Sequence, residues 1–375
     1  MRYMHISDLH LGKKLGGRDL DEDQRHILTQ IMDMAEEEKV DGLIVAGDIF
    51  DDGTSSTVAA VNTFDWFLTE LSSRGIETYI ISGNHDSMDR LHFGSGFFRS
   101  RGIHIVSRYE GEMIRYVQRG EDGTTVGIYL LPFIKPVHAR IAHPDDRIES
   151  YEDAVRSAVS HTELVDGEDI RIAVTHQFMT NAGNGPERCD SEKVYVGTGE
   201  NVDISVFDGF DYVALGHIHR PQRVGDRGRY CGTPLKYSIS EADDEKSVTI
   251  IDAEKEGITV RTRPLIPLRD VRRIRGPLDE IIAAGKTNPH RDDYYHVDLT
   301  DNPDNPMDRI REVYPNVIGL STPSVDGTDF EPEIAGEEGV DPMSAMREFY
   351  RSCTGEEPSE YQISVVSGIL GGGDE

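Results

Sequence analysis

Five short apolar runs in the first part of the chain each end in a cluster of polar side chains. They read RYMHIS, DGLIVAGD, ETYIISGNHD, DIRIAVTH and DYVALGHIH. Short apolar runs that are bounded by polar clusters predict buried β-strands. After the first two runs, apolar residues recur at helical spacing, as Ile27 and Ile31 do, and then Phe64 and Leu68. The alternation predicts an α/β layered domain over residues 1–265.

The polar clusters are expected to meet in space. Ligands of layered α/β domains gather at the carboxyl ends of the strands. Five strands that end in polar side chains should therefore converge on one rim of the sheet.

The pattern changes after residue 265. RRIRGPLDEIIAAG predicts a turn and a helix, DYYHVDLTD a strand, and NPMDRIREVYPNVIGLSTPSV a helix and a strand. We expect a small α+β capping domain at 266–325, a flexible acidic linker at 326–340 and two short amphipathic helices at 341–375. Helices that follow such a linker favour docking onto a helix of a partner protein, although packing against the body of the chain is the alternative.

The composition provides enough hydrophobic residues for a buried core. The chain has 375 residues, 37% hydrophobic, and no run approaches the roughly 20 apolar residues that cross a bilayer. The charged N-terminus does not resemble a secretory signal, and three scattered cysteines fit neither a disulfide framework nor a zinc cage. The cytoplasm is the expected compartment.

The net charge of −30, from 69 acidic and 39 basic residues, bears on nucleic-acid binding. Affinity for DNA rises with the number of phosphates that basic side chains neutralise. This chain alone should therefore bind DNA weakly. Bound cations or a basic partner protein would change that balance, so the charge does not exclude nuclease chemistry.

The five polar clusters carry the donors of a metal site. They are Asp8-Leu9-His10, Gly47-Asp48, Gly83-Asn84-His85-Asp86, Thr175-His176 and Gly216-His217-Ile218-His219. Carboxylate, amide and imidazole donors suit Mn²⁺, Mg²⁺, Fe²⁺ or Zn²⁺. In D-x-H and H-x-H the two side chains point the same way where the backbone is extended. Any one cluster alone is more simply explained by a structural or surface histidine, but all five in this order predict one metal site.

The order D-x-H, GD, GNHD, H and GHxH resembles the calcineurin-like metallophosphoesterase superfamily. The resemblance implies a four-layer α/β/β/α sandwich with two metals at the strand ends. It implies that Asp48 bridges the ions and that His85 stabilises or protonates the scissile phosphate group. The other implied ligands are Asp8, His10 and His219 for one ion, and Asn84, His176 and His217 for the second.

Flanking segments narrow the resemblance to the SbcD nuclease family. They are HISDLHLGKKLGGRDLDEDQRHIL, GDIFDDG, SGNHDS and GHIHRPQRV, with YYHVDLTDNPDNPMDRIREVYPNVIGL in the cap and DPMSAMREFYRSCTGEEPSEYQ in the tail. The resemblance implies a Mn²⁺-dependent 3′→5′ double-strand exonuclease and single-strand or hairpin endonuclease of DNA repair and recombination. It also implies that the C-terminal helices bind an SbcC-type coiled-coil ATPase. Two copies would pair through the phosphoesterase domain, for which the stretch around Phe64, Trp66 and Phe67 is a candidate surface.

One position departs from the archaeal members of the family. They carry a second histidine shortly after the bridging aspartate, where this chain has Asp51 and Asp52. We therefore expect Asp51 to orient His85 as a carboxylate–histidine pair. Arg90 and His92, just beyond GNHDS, are candidate contacts to the DNA backbone and equally well ordinary surface residues.

Two other functions use the same ligands. A small-molecule phosphodiesterase or nucleotidase would need neither cap nor tail. A non-enzymatic scaffold could keep the metal ligands for stability alone, but it would not require His85.

Overall fold

The computed structural model describes residues 1–53, 56–192 and 199–323, together with 346–347, 350–351, 357–359 and 361–363. Residues Met1–Pro323 form one compact unit and Ser324–Glu375 a second. The predicted acidic linker lies outside the described residues. So do most of the predicted C-terminal helices, although 346–347, 350–351 and 361–363 are helical.

The strands and helices whose bounds the structure gives belong to the first unit. In chain order the strands are β1 (Arg2–Ile6), β2 (Lys14–Leu15), β3 (Arg18–Asp19), β4 (Gly42–Ala46), β5 (Thr78–Ile81), β6 (Ile103–Val106), β7 (Ile114–Arg119), β8 (Thr125–Leu131), β9 (Ile170–Thr175), β10 (Met179–Thr180), β11 (Val202–Asp203), β12 (Tyr212–Leu215), β13 (Gln222–Val224), β14 (Gly228–Tyr230), β15 (Ser247–Glu254), β16 (Gly257–Pro264), β17 (Val271–Gly276), β18 (Tyr294–Leu299) and β19 (Val317–Ser321). The helices are α1 (Asp21–Glu38), α2 (Val58–Ser73), α3 (Met88–His92), α4 (Ser95–Arg99), α5 (Pro136–Ala142), α6 (Tyr151–Ser160), α7 (Leu278–Gly285) and α8 (Pro306–Arg311).

Two six-stranded sheets form the body of this unit. The first has the order β16-β15-β1-β4-β5-β6 and the second β13-β14-β12-β9-β8-β7. In the first sheet β1, β4, β5 and β6 run parallel, and β15 pairs antiparallel with both β1 and β16. In the second sheet β14, β12, β9 and β8 run parallel, and the edge strands β13 and β7 are antiparallel to their neighbours. Parallel neighbours require a crossover, which α1 supplies between β1 and β4, and α2 between β4 and β5. All five predicted strands are present, but they are divided between two sheets.

The core lies in three layers, so the predicted four-layer α/β/β/α sandwich is confirmed. Along β4, Leu43 and Val45 pack under α1 and α2, whereas Ile44 and Ala46 face the second sheet. The outer face of the second sheet is covered by α6, with Ala154 in its apolar cluster. Both faces of the inner strands are buried, which explains why their sequences are nearly continuous apolar runs.

The helices begin and end where local chemistry favours it. Three acidic residues in the first turn of α1 complement the helix dipole, and Lys39 ends that helix in the left-handed conformation with φ 54°. Thr57 caps α2, because its side chain accepts a hydrogen bond from the Ala60 amide.

The capping region contains β17, β18 and β19 as a parallel sheet, with α7 and α8 as its crossovers. RRIRG, predicted as a turn, is strand β17. This region has an apolar core of its own around Val297 and Ile310. It joins the first turn of α1 through Asp23, which accepts a hydrogen bond from the Tyr294 hydroxyl and forms an ion pair with Arg269. Among the described residues, no helix is both long and apolar enough to cross a membrane.

Candidate metal centre

Side chains from both sheets meet at one end of the sandwich. The first sheet contributes Asp8 and His10 after β1, Asp48 after β4, and Asn84 and His85 after β5. The second sheet contributes His176 after β9, and His217 and His219 after β12. The structure therefore brings together every predicted metal ligand, at a rim shared by two sheets.

Glycines allow this close approach. A β-carbon at Gly216 would overlap the Ala46 carbonyl oxygen and the His176 ring, and one at Gly83 would overlap Asp48. The loops of the two sheets thus touch through backbone.

Four of the converging residues have a left-handed backbone, which residues other than glycine adopt rarely. Their φ values are 54° for Asp8, 44° for His10, 50° for Asp48 and 95° for His217. Such conformations cost about 1–3 kcal/mol each and cluster at functional sites. The D-x-H and H-x-H pairs therefore converge through strained loops, and the extended geometry expected from their spacing is wrong.

The first group of donors contains Asp8, His10 and His219, whose ligand atoms lie within 4.8 Å of one another. The Nε2 atoms of His10 and His219 are 3.1 Å apart. All three residues are at most 2% exposed.

The second group of donors lies next to the first. The Asn84 Oδ1 atom is 3.0 Å from His176 Nε2 and 2.8 Å from His217 Nδ1. Asp48 stands between the groups, because its Oδ2 atom is 3.3 Å from His176 Nε2 and 3.7 Å from His10 Nε2.

The electrostatics of these donors fit bound cations. Burial and the charge of Asp48 raise the pKa of Asp8 to about 7. Burial would lower the pKa of His176, but the charges of Asp48 and Asp8 outweigh it and raise that pKa to about 9. Burial holds the pKa of His217 at about 3. Two adjacent buried carboxylates thus keep a proton on His176 when no other cation is present, and divalent ions match this donor set.

Backbone carbonyls orient two of the histidines. The Nδ1 atom of His176 donates to the Ala46 carbonyl over 2.8 Å, which leaves Nε2 to face Asp48. The Nδ1 atom of His85 likewise donates to the Asp51 carbonyl over 2.7 Å. The Nε2 atom of each ring is therefore the nitrogen left for a metal ion or a substrate.

The predicted carboxylate–histidine pair between Asp51 and His85 is not formed. Asp51 holds His85 through its backbone carbonyl, whereas its carboxylate pairs with Lys13 over 2.8 Å and lies 3.4 Å from His10 Nδ1. Burial would raise the pKa of Asp51, but its hydrogen bonds to His10 and Lys13 outweigh it and keep that pKa below its usual range. The carboxylate is positioned to orient a ligand histidine.

The surfaces predicted for pairing of two copies and for DNA contact also differ in the structure from the prediction. Phe64 and Phe67 are buried in the core, and Trp66 is partly buried with the Arg25 guanidinium over its ring. Arg90 donates a hydrogen bond to the Gly53 carbonyl, so it holds a loop of the site.

Three supporting residues were not predicted from the sequence. The carboxylate of Asp86 accepts hydrogen bonds from the amides of Ile49, Phe50 and Gly83, which ties the loops after β4 and β5 together. Ser191 and Glu241 lie behind His219. Asp86 belongs to the GNHD cluster, and that was the one available signal.

Known proteins match nearly the whole chain. The family model for calcineurin-like phosphoesterases matches residues 1–221, which include every residue of the metal centre. A second model, for the type 5 capsule protein repressor C-terminal domain, matches residues 267–354. The SbcD component of the SbcCD nuclease from Staphylococcus epidermidis is 30% identical over 99% of this chain and 98% of its own length.

The chain belongs to the SbcD nuclease family.

A second member, from Staphylococcus saprophyticus, is likewise 30% identical, over 99% of this chain and 98% of its own length. As a calcineurin-like phosphoesterase of this family, the chain is a metal-dependent hydrolase of phosphoesters. The second family model spans the predicted cap and continues into the predicted tail, so the likeness to SbcD extends well beyond the catalytic sandwich.

Proposed function

We propose that this SbcD family member is a Mn²⁺-dependent DNA nuclease of repair and recombination, with 3′→5′ exonuclease activity on duplexes and endonuclease activity on single strands and hairpins. The observation that carries the proposal is the convergence of six donor side chains around the buried Asp48, with His85 beside them. His85 is within 4.9 Å of His10, ring centre to ring centre.

Each donor has a role in the proposal. Asp8, His10 and His219 would hold one ion, Asn84, His176 and His217 would hold the second, and Asp48 would serve both. When bound, the two ions would polarise the phosphoryl group and lower the pKa of water for in-line attack. The left-handed loops and the glycine contacts hold these donors in place before the ions and the substrate arrive.

His85 serves the leaving oxygen in this proposal. Its Nδ1 proton is committed to the Asp51 carbonyl, so the exchangeable proton is carried by Nε2. An imidazole N–H at this position can protonate the departing alkoxide as a general acid. Asp51 contributes by presenting its carbonyl to His85 and its carboxylate toward His10.

Partners complete the proposed assembly. We divide the chain into a nuclease domain at 1–265, a cap at 266–325, a linker at 326–340 and helices at 341–375 that bind an SbcC-type ATPase in the cytoplasm. A second copy would pair through the exposed apolar side chains near α2 and α4, since Val58, Phe93 and Phe97 are 78%, 85% and 69% exposed. This surface replaces the one predicted around Trp66.

The test is degradation of end-labelled linear duplex DNA with Mn²⁺, comparing wild type with His85→Ala at matched metal occupancy. We expect the substitution to lower the cutting rate about 10²- to 10⁴-fold, because a general acid contributes that much. His290→Ala, at an exposed histidine of the cap, is the control and should cut like wild type.

Either of two results would contradict the proposal. Hydrolysis of a small phosphodiester without cutting of DNA, even with an SbcC-type partner added, would favour a small-molecule phosphodiesterase. Full activity of the His85→Ala variant would show that His85 takes no part in the reaction.

A further inference from the structure

His219 is oriented by a side chain, unlike His176 and His85. Backbone carbonyls fix His176 and His85, whereas the Nδ1 atom of His219 lies 2.7 Å from the Ser191 hydroxyl. A serine hydroxyl can donate or accept, so this contact alone leaves the tautomer of His219 open.

A buried carboxylate decides the direction of that hydrogen bond. Glu241 is fully buried, and its Oε1 atom is 2.6 Å from the Ser191 hydroxyl. Its Oε2 atom accepts from the Lys246 ammonium over 2.6 Å. Burial would raise the pKa of Glu241, but the charge of Lys246 outweighs it and keeps that pKa below its ordinary value. The ionised carboxylate can only accept, so Ser191 gives Glu241 its single proton and accepts from His219 Nδ1.

The direction of the Ser191–His219 hydrogen bond decides whether His219 presents a proton or a lone pair to His10, on the other side of the ring. The Nε2 atom of His219 is 3.1 Å from the Nε2 atom of His10. If His219 carried its proton on Nε2, it would donate to His10, and that hydrogen bond would occupy the space between two ligands. With the proton on Nδ1, both Nε2 lone pairs face the space that a cation would fill.

The backbone of His219 is held by the same neighbourhood. Its amide donates to the Glu192 carboxylate over 2.8 Å, and its carbonyl accepts from the Lys246 ammonium over 2.9 Å. Lys246 thus joins the carboxylate of Glu241 to the main chain of His219, so the backbone that carries the ring is held in place.

We propose that Ser191 and Glu241 are positioning residues that hold His219 as its Nδ1–H tautomer and keep the first donor group open for a divalent cation. The inference deepens the proposed function and rests on its two-ion centre. A partner that orients a metal-binding histidine typically changes metal affinity 10- to 100-fold.

Ser191→Ala is the decisive substitution. Glu241 also accepts from the Tyr237 amide and pairs with Lys246, so replacing it would disturb the fold as well. Removing the Ser191 hydroxyl leaves those contacts in place. Ser191→Thr keeps a hydroxyl and should restore the wild-type behaviour. Ser73→Ala, which removes an exposed hydroxyl bonded to the Glu70 carbonyl, is the matched control.

Two measurements on the full chain test the proposal. In calorimetric titration with Mn²⁺ alone, Ser191→Ala should weaken one of two binding events about 10- to 100-fold and leave the other unchanged. In the metal-free protein labelled with ¹⁵N-histidine, ring-nitrogen NMR should show the His219 proton on Nδ1 in wild type and on Nε2 in Ser191→Ala.

The outcomes are distinct. Unchanged Mn²⁺ affinities together with an unchanged His219 tautomer in Ser191→Ala would overturn the inference, as would failure of Ser191→Thr to restore either. A wild-type chain that binds no Mn²⁺ would contradict the proposed function instead. The NMR spectra of the metal-free protein would then still support or overturn the tautomer assignment.

Discussion

Asp86 shows how a single buried side chain holds the centre together. Its carboxylate accepts from three backbone amides, at 2.9–3.1 Å, in the loops that carry Asp48 and Asn84. Burial and the charge of Asp48 raise its pKa to about 6. The three hydrogen bonds from backbone amides compensate for the cost of burying a carboxylate next to the charge of Asp48.

We predict that Asp86→Ala lowers the free energy of unfolding of the metal-free protein by about 3 kcal/mol, because buried amides lose their acceptor. Chemical denaturation measures this change. Asp89→Ala, at an exposed carboxylate of α3 that pairs with Arg108, should change stability by less than about 0.5 kcal/mol. Equal stabilities of the two variants would contradict this account of Asp86.

Residue types were predictable from the sequence, whereas their geometry was not. The clusters contained all seven side chains that the structure brings together at the rim, because carboxylates and imidazoles at strand ends have few other uses. The left-handed backbone of Asp8, His10 and Asp48 leaves no mark in residue spacing. The Ser191–Glu241 contact joins positions 50 residues apart, which a local pattern cannot reveal.

At the scale of elements, the junction between β4, β9 and β12 sets how closely the two sheets approach. Gly216 follows β12, and its amide donates to the Thr175 carbonyl over 3.2 Å. Its missing side chain leaves room for the Ala46 carbonyl and the His176 ring.

We predict that Gly216→Ala destabilises the protein by about 2 kcal/mol and weakens Mn²⁺ binding. The added methyl group would clash with the Ala46 carbonyl and the His176 ring where the two sheets meet. Thermal unfolding and calorimetric titration measure the two effects. Gly96→Ala, in α4 and facing open space, is the control and should be neutral or slightly stabilising. Wild-type Mn²⁺ affinity in Gly216→Ala would show that the junction does not position the donors.

Buried parallel strands and their crossover helices were the most predictable elements. Strands β1, β4, β5, β9 and β12 are nearly continuous apolar runs, so their sequences stand out. The edge strand β7 alternates between half-buried and exposed residues, and β17 is rich in arginine, so neither shows that signature. The four-layer arrangement was predicted from the family resemblance alone. The pattern of strands could not decide it, because the same strands can form one sheet or two.

At the scale of the whole molecule, the sandwich brings two sheets to one rim within a strongly acidic chain. The net charge of −30 opposes DNA binding by this chain alone. Divalent ions at the centre and a basic partner protein would together offset that repulsion, which agrees with a nuclease that works as part of a complex.

The central claim is that the seven donors hold two divalent ions bridged by Asp48. A crystal structure of the full chain grown with Mn²⁺, with anomalous difference density, tests it most directly. We expect two peaks, one contacted by Asp8, His10 and His219, and the other by Asn84, His176 and His217, with Asp48 touching both. A single peak, or density confined to the surface cluster of His143, Asp146 and His161, would contradict it.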